Sequence, residues 1–151
     1  MTGEMKRSFV ARISQANRTG LVVILYEMTD VYLEDALNSM EEESQEKIDL
    51  AFSRVRGCIN ELMNSLYMEY EMAQNMMSLY VFCLKRLVYS QQKKDKDVLL
   101  WVKNTLKKLS DAYAQAVKDD NSPPEMIGIQ NVYEGLTYGK TGRAQATNLY
   151  K

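Results

Sequence analysis

The sequence contains no histidine. That absence removes the usual general base at neutral pH, the Ser-His and Cys-His nucleophile pairs, and the imidazole ligands of most catalytic metal sites. It also excludes two functional bundles: a di-iron carboxylate protein needs Glu-x-x-His on two helices, and a phosphotransfer bundle needs a histidine acceptor. Proline is almost missing as well, with Pro123 and Pro124 the only two, and of seven glycines only Gly20 and Gly57 lie away from the ends of the chain. The long middle is therefore nearly free of helix breakers. No apolar run approaches the ~20 residues of a membrane-spanning helix, Leu21 to Leu25 with Tyr26 after it being as long as any. The opening MTGEMKRSF has neither the apolar region nor the small-residue cleavage site of a secretory signal. A formal net charge of −1 supplies no global field toward nucleic acid or an anionic membrane. The expectation is a cytoplasmic protein that neither binds nucleic acid nor inserts in a membrane, carries no cofactor or metal, and is not an enzyme. Cys58 and Cys83, the only cysteines, are expected to be reduced, small and buried.

What is present is helical periodicity. The chain has 151 residues, 46% hydrophobic and 26% charged, enough for one core. From Leu21 the positions Leu21, Ile24, Leu25, Met28, Tyr32, Ala36 and Met40 recur at three and four, with Glu27, Asp30, Glu34 and Asp35 filling the other face. Asn17 is a candidate N-cap, which puts the first helix at about Arg18 to Met40. The acidic Glu41, Glu42 and Glu43, then Ser44, read as a solvated turn. A second stripe follows: Ile48, Ala51, Phe52, Val55, Ile59, Leu62 and Leu66. The third is Ala73, Met76, Tyr80, Leu84 and Leu87; its boundary with the second, near Tyr67 to Glu71, has no glycine or proline to mark it. Asp95 or Asp97 caps a fourth stripe of Val98, Leu99, Val102, Leu106, Leu109, Tyr113 and Ala116, with Trp101 read as a shared packing residue.

Four stripes with short connections predict an all-α fold, an antiparallel up-down four-helix bundle over 17–120. Residues 1–16 form a short N-terminal segment, and 121–151 a C-terminal tail, partly docked or flexible. Within the tail, Gly135, Leu136, Thr137, Tyr138, Gly139, Lys140 and Thr141 end in the Gly-Lys-Thr of a phosphate-binding loop. The stretch is one residue short between its glycines and has no preceding strand, so it does not read as a nucleotide site. The lysines at 93, 94, 96, 103, 107 and 108 have no interleaved stacking aromatics and read as a solvated face.

The informative excess is methionine, ten in all, with Met63, Met68, Met72, Met76 and Met77 close together. Unbranched and polarisable, methionine adapts to irregular apolar partners and is over-used in binding grooves, though it also fills loose cores.

Several stretches in order resemble one family. Ile13-Ser-Gln-Ala-Asn17 followed by Leu21-Val-Val-Ile-Leu-Tyr-Glu27 is similar to the opening of flagellin export chaperones of the FliS type, where a V-x-T-A-like segment leads into L-x-x-x-L-Y-[DE/N]. Val55 to Leu66 resembles the second helix of that family. Leu79-Tyr80 with Leu84-Lys85-Arg86-Leu87-Val88 resembles the third, and Leu109 to Val117 the fourth, with Tyr113 where the family often has tryptophan. Met28 stands where a glycine commonly follows the Leu-Tyr motif, and the tail is longer than the family core requires. The resemblance implies a cytoplasmic chaperone, a monomer or weak homodimer, that holds the C-terminal amphipathic segment of flagellin export-competent and unpolymerised, with the flagellar export apparatus as a further partner. Helix-in-groove recognition then assigns Leu62, Leu66, Met72, Met76, Tyr80 and Leu84 to a client groove. Phe9, Val10 and Ile13 are assigned to a lid over it, with Ile127 to Tyr138 as a rival lid. The alternative is a structural bundle that homo-oligomerises or binds another client.

Overall fold

Four of the five helix starts carry a local cap. The computed structural model describes residues 1–66, 68 and 71–119, and among these there are five helices and no strand. They are α1 (Gly3–Ile13), α2 (Arg18–Glu41), α3 (Gln45–Asn64), α4 (Glu71–Lys93) and α5 (Lys96–Val117). Thr2, Asn17, Ser44 and Asp95 are N-caps in extended backbone, each accepting an amide hydrogen bond from the first turn. Asn17 accepts from Gly20 N at 2.8 Å, and a Cβ at position 20 would lie 3.1 Å from that cap oxygen. A glycine so close to a helix start is thus tied to its cap. The turns between α2 and α3 and between α4 and α5 are closed by Glu43 and Lys94 at φ 57° and 52°, the left-handed region that penalises any side chain with a Cβ. Glu43→Gly and Lys94→Gly are each expected to raise unfolding free energy by about 0.5–1 kcal/mol, read by urea denaturation.

Pairings across the helices fix how they lie. Arg18, opening α2, donates to the carbonyl of Ser65 just past α3. Lys96, opening α5, pairs with Glu41 at the end of α2, and Lys103 meets Asp30 at 2.8 Å. Gln91, late in α4, bonds to Asp49 and Arg56 of α3. Successive helices from α2 to α5 therefore run antiparallel, with α2 and α4 each packed between α3 and α5. The core between them includes Leu25, Met28, Leu33, Phe52, Val55, Ile59, Leu87 and Leu99, all essentially inaccessible.

Residues 1–16 differ from the expectation of a segment outside the bundle. Most of that stretch is α1, and Phe9 and Ile13 belong to the core. The reason is visible in α2, which buries Leu21, Val22, Ile24, Leu25, Tyr26, Met28 and Thr29 almost consecutively. A helix apolar over most of its circumference must be covered on most sides, and α1 covers the side that α3 and α5 leave open. The acidic residues read as the solvent face of α2 are in part its fasteners: Glu27 holds Arg12, Asp35 holds the α-amino group of Met1, and Asp30 holds Lys103. The uncertain boundary near Tyr67 is a true break, since α3 ends at Asn64 and α4 begins at Glu71. The tail and its Gly-Lys-Thr stretch lie outside the described residues.

Candidate binding surfaces

Of the six residues assigned to a client groove, two are placed in the interior. Leu62 is fully buried on α3, and Tyr80 is 1% exposed on α4. Tyr80 shares a hydroxyl–hydroxyl hydrogen bond with Tyr26, whose ring also tilts against Tyr113 at a centroid distance of 6.1 Å. Burial pushes the Tyr26 hydroxyl up to about 12 and that of Tyr80 higher still, so both remain neutral partners to each other. Leu66, Met76 and Leu84 are half-buried against the core, and Met72 stands 72% exposed. Leu66 lies just past α3 and the other three on α4, with Leu62 and Tyr80 buried as structural support.

The thiols offer no reactive group. Burial raises Cys58 to about 12 and Cys83 to about 11, so both remain thiols at neutral pH. Together with Tyr26, these groups carry a pH dependence. Each has a folded pKa raised above its unfolded value, so the stability that comes from keeping it neutral is complete below the unfolded pKa and is lost as pH rises through the folded one. Unfolding free energy is expected to be level from pH 7 to 8. It should then fall between about pH 9 and 12, with a limiting slope of about 1.4 kcal/mol per pH unit for each group that ionises on unfolding, as measured by urea denaturation at stepped pH.

The expected lid residues take part in a real cover, over a different place. Phe9 lies with Tyr26, Val31 and Leu106 around a cavity of about 230 Å³ between α2 and α5. Val10 is partly buried, and Ile13 is 3% exposed. Because α1 packs on α2, it does not cover Leu66, Met72, Met76 or Leu84 on α3 and α4. Open clefts flank its seam with the bundle, one of about 370 Å³ past Met1 and Lys6 to Tyr32, Leu50 and Arg54, and one of about 570 Å³ between Arg12 and Ala16 on one side and Ala114 and Val117 on the other. The buried Phe9 and Ile13, the partly buried Met1 and Val10, and the pairs Arg12–Glu27 and Met1–Asp35 hold α1 in place. The Arg12–Glu27 pair is more than two-fifths exposed on both sides and contributes ~1 kcal/mol at most.

A family model described as "Flagellar protein FliS" matches residues 1–120. The chain belongs to the FliS family. Membership carries a general role in flagellum assembly as an export chaperone, and the matched residues include α1 as well as the bundle, so the cover over α2 lies within the family's own extent. No curated protein matches the chain. Among the described residues, no helix of this FliS-family protein is long and apolar enough to cross a membrane.

Sequence reasoning missed a third surface. On the outer side of α4, Leu79, Phe82 and Tyr89 are exposed in line with Met72, and Trp101 of α5 closes edge-on against Phe82 at 5.3 Å between centroids. Arg86 sits among the rings, with its guanidinium 5.7–5.9 Å from the centroids of Phe82, Tyr89 and Trp101. The signal was present in the spacing 72, 79, 82, 86, 89, which marks one helical face, and in a Trp101 out of step with the buried stripe of α5.

Proposed function

We propose that this FliS-family protein is a cytoplasmic chaperone that binds the C-terminal amphipathic segment of flagellin and blocks its premature polymerisation. The observation that supports this reading is α1, seated by Phe9 and Ile13 over the apolar run Leu21 to Tyr26 that opens α2. An amphipathic client helix offers the same chemistry as α1, an apolar face with flanking charge, and takes its place between α2 and α5 by displacing Phe9 and Ile13. The client then extends over the edge formed by Leu66, Met72, Met76 and Leu84, and its apolar face can no longer pair with its own kind. Ordering the client and releasing α1 both offset the contact energy, which keeps the complex reversible for hand-over to the export apparatus.

Calorimetric titration with the C-terminal fragment of flagellin from the same organism tests the reading. The expected result is saturable binding at micromolar affinity or better, about −8 kcal/mol. Absence of heat and of a complex at high concentration removes flagellin as the client. Met72→Ala, at a largely exposed side chain, is expected to weaken that affinity about threefold while leaving the fold intact, measured in the same titration.

A further inference from the structure

The α4–α5 outer face is an apolar patch built around a cation that has no counter-charge among the described residues. Leu79, Phe82, Tyr89 and Trp101 are each roughly two-fifths exposed. Contiguous exposed apolar surface of this kind marks a site of association. Arg86 makes no hydrogen bond or ion pair among the described residues, and its Nε is shielded from solvent without a partner. The three rings around it contribute cation–π attraction, but they cannot accept the planar fork of N–H donors, which suits a carboxylate. An occupant of this face should therefore be apolar and carry an acidic side chain.

The chain supplies such a segment itself. We infer that residues 120–151, outside the described residues, dock on the α4–α5 outer face, with apolar side chains among Ile127, Ile129, Val132, Tyr133 and Leu136 on the aromatic patch and Glu125 or Glu134 facing Arg86. Three observations favour this occupant. First, α4 and α5 are antiparallel, joined through Lys94 and Asp95 and nearly equal at 23 and 22 residues, so the end of α5 returns to the level where α4 begins, and the rings around Arg86 lie further along α4 towards the turn. From Glu71 to Arg86 the helix rises ~22 Å, a distance that about seven extended residues span at ~3.3 Å each. Both Glu125 and Glu134 are within reach. Second, the family match ends at residue 120, so the segment and its apolar side chains lie outside the matched residues. Third, attachment to α5 gives the segment a local concentration on the order of millimolar, ahead of any partner in free solution.

Trp101 is the sole tryptophan and reports directly on the patch. In the full-length chain, its emission and its quenching by acrylamide are compared with those of the full-length double variant Ile129→Asp, Leu136→Asp, and of a chain ending at residue 120. Both changes lie outside the described core, and far-UV circular dichroism confirms the fold. The expected result is a red-shifted emission and a severalfold larger quenching constant in both variants, reversed for the shortened chain by adding a peptide of residues 120–151. Identical emission and quenching in all three proteins overturn the proposal. So does protection of Trp101 that depends on protein concentration, which assigns the face to a second copy. Protection that appears only on adding the flagellin fragment, with or without the tail, assigns it to the client and overturns the proposal too.

Discussion

Leu62→Ala is expected to lower the free energy of unfolding by about 2–5 kcal/mol, read as a lower urea midpoint at unchanged slope. Leu62 has no accessible surface and belongs to the same cluster as Phe52, Val55, Ile59, Leu87 and Leu99. Truncation there removes three carbons from a close-packed interior and leaves a cavity that helices pinned by their neighbours can only partly close. Domains of this size are stable by only ~5–15 kcal/mol, so the loss is a large share of the total. Met72→Ala makes the matched control, expected to stay within about 0.5 kcal/mol of wild type. A Leu62→Ala protein with wild-type stability and lost client binding would return Leu62 to the groove.

Loosening α1 is expected to strengthen client binding about 10- to 100-fold, or about 1.4–2.8 kcal/mol. Burial of Phe9 and Ile13 contributes roughly 1.5–3 kcal/mol each, and the exposed Arg12–Glu27 pair adds little. A helix as short as the eleven residues of α1 is marginal on its own, so its seat depends on that burial. Deleting residues 1–15 removes the competitor outright. The full-length variant Phe9→Ala, Ile13→Ala weakens it without exposing a new chain end, and is expected to show part of the gain. Calorimetry with the flagellin C-terminal fragment measures both. Unchanged or weaker binding in the two proteins would mean that α1 is a permanent part of the bundle.

The way these effects divide follows from which features are local. Helix starts depend on a cap and the turn after it, and Asn17 and the pair Asp95 or Asp97 announced themselves in the sequence because a short polar side chain before an apolar stripe has a chemical task within three residues; Ser44, read as part of a solvated turn, proved to be the cap of α3. The stripes of α3 and α5 were legible for the same reason: apolar spacing at three and four on an otherwise charged helix admits one buried face. The α2 run Leu21 to Tyr26 held more than was taken from it. Its lack of a polar face already required a cover, and α1 is that cover.

The sequence by itself determined the helical class, the extent of α2 to α5 within a few residues, and the order of motifs shared with the FliS family, because each of these rests on local spacing. Only the tertiary structure decided which apolar side chains face a partner. Met72, Met76 and Tyr80 are four apart and alike in the sequence, yet they run from 72% exposed to 1% exposed. Each step of four residues advances about 40° around a helix, so a series that looks like one stripe turns from solvent into the core in two steps. The seating of α1 was likewise invisible along the chain. Its place depends on the open side of α2, which exists only once α3 and α5 have covered the others.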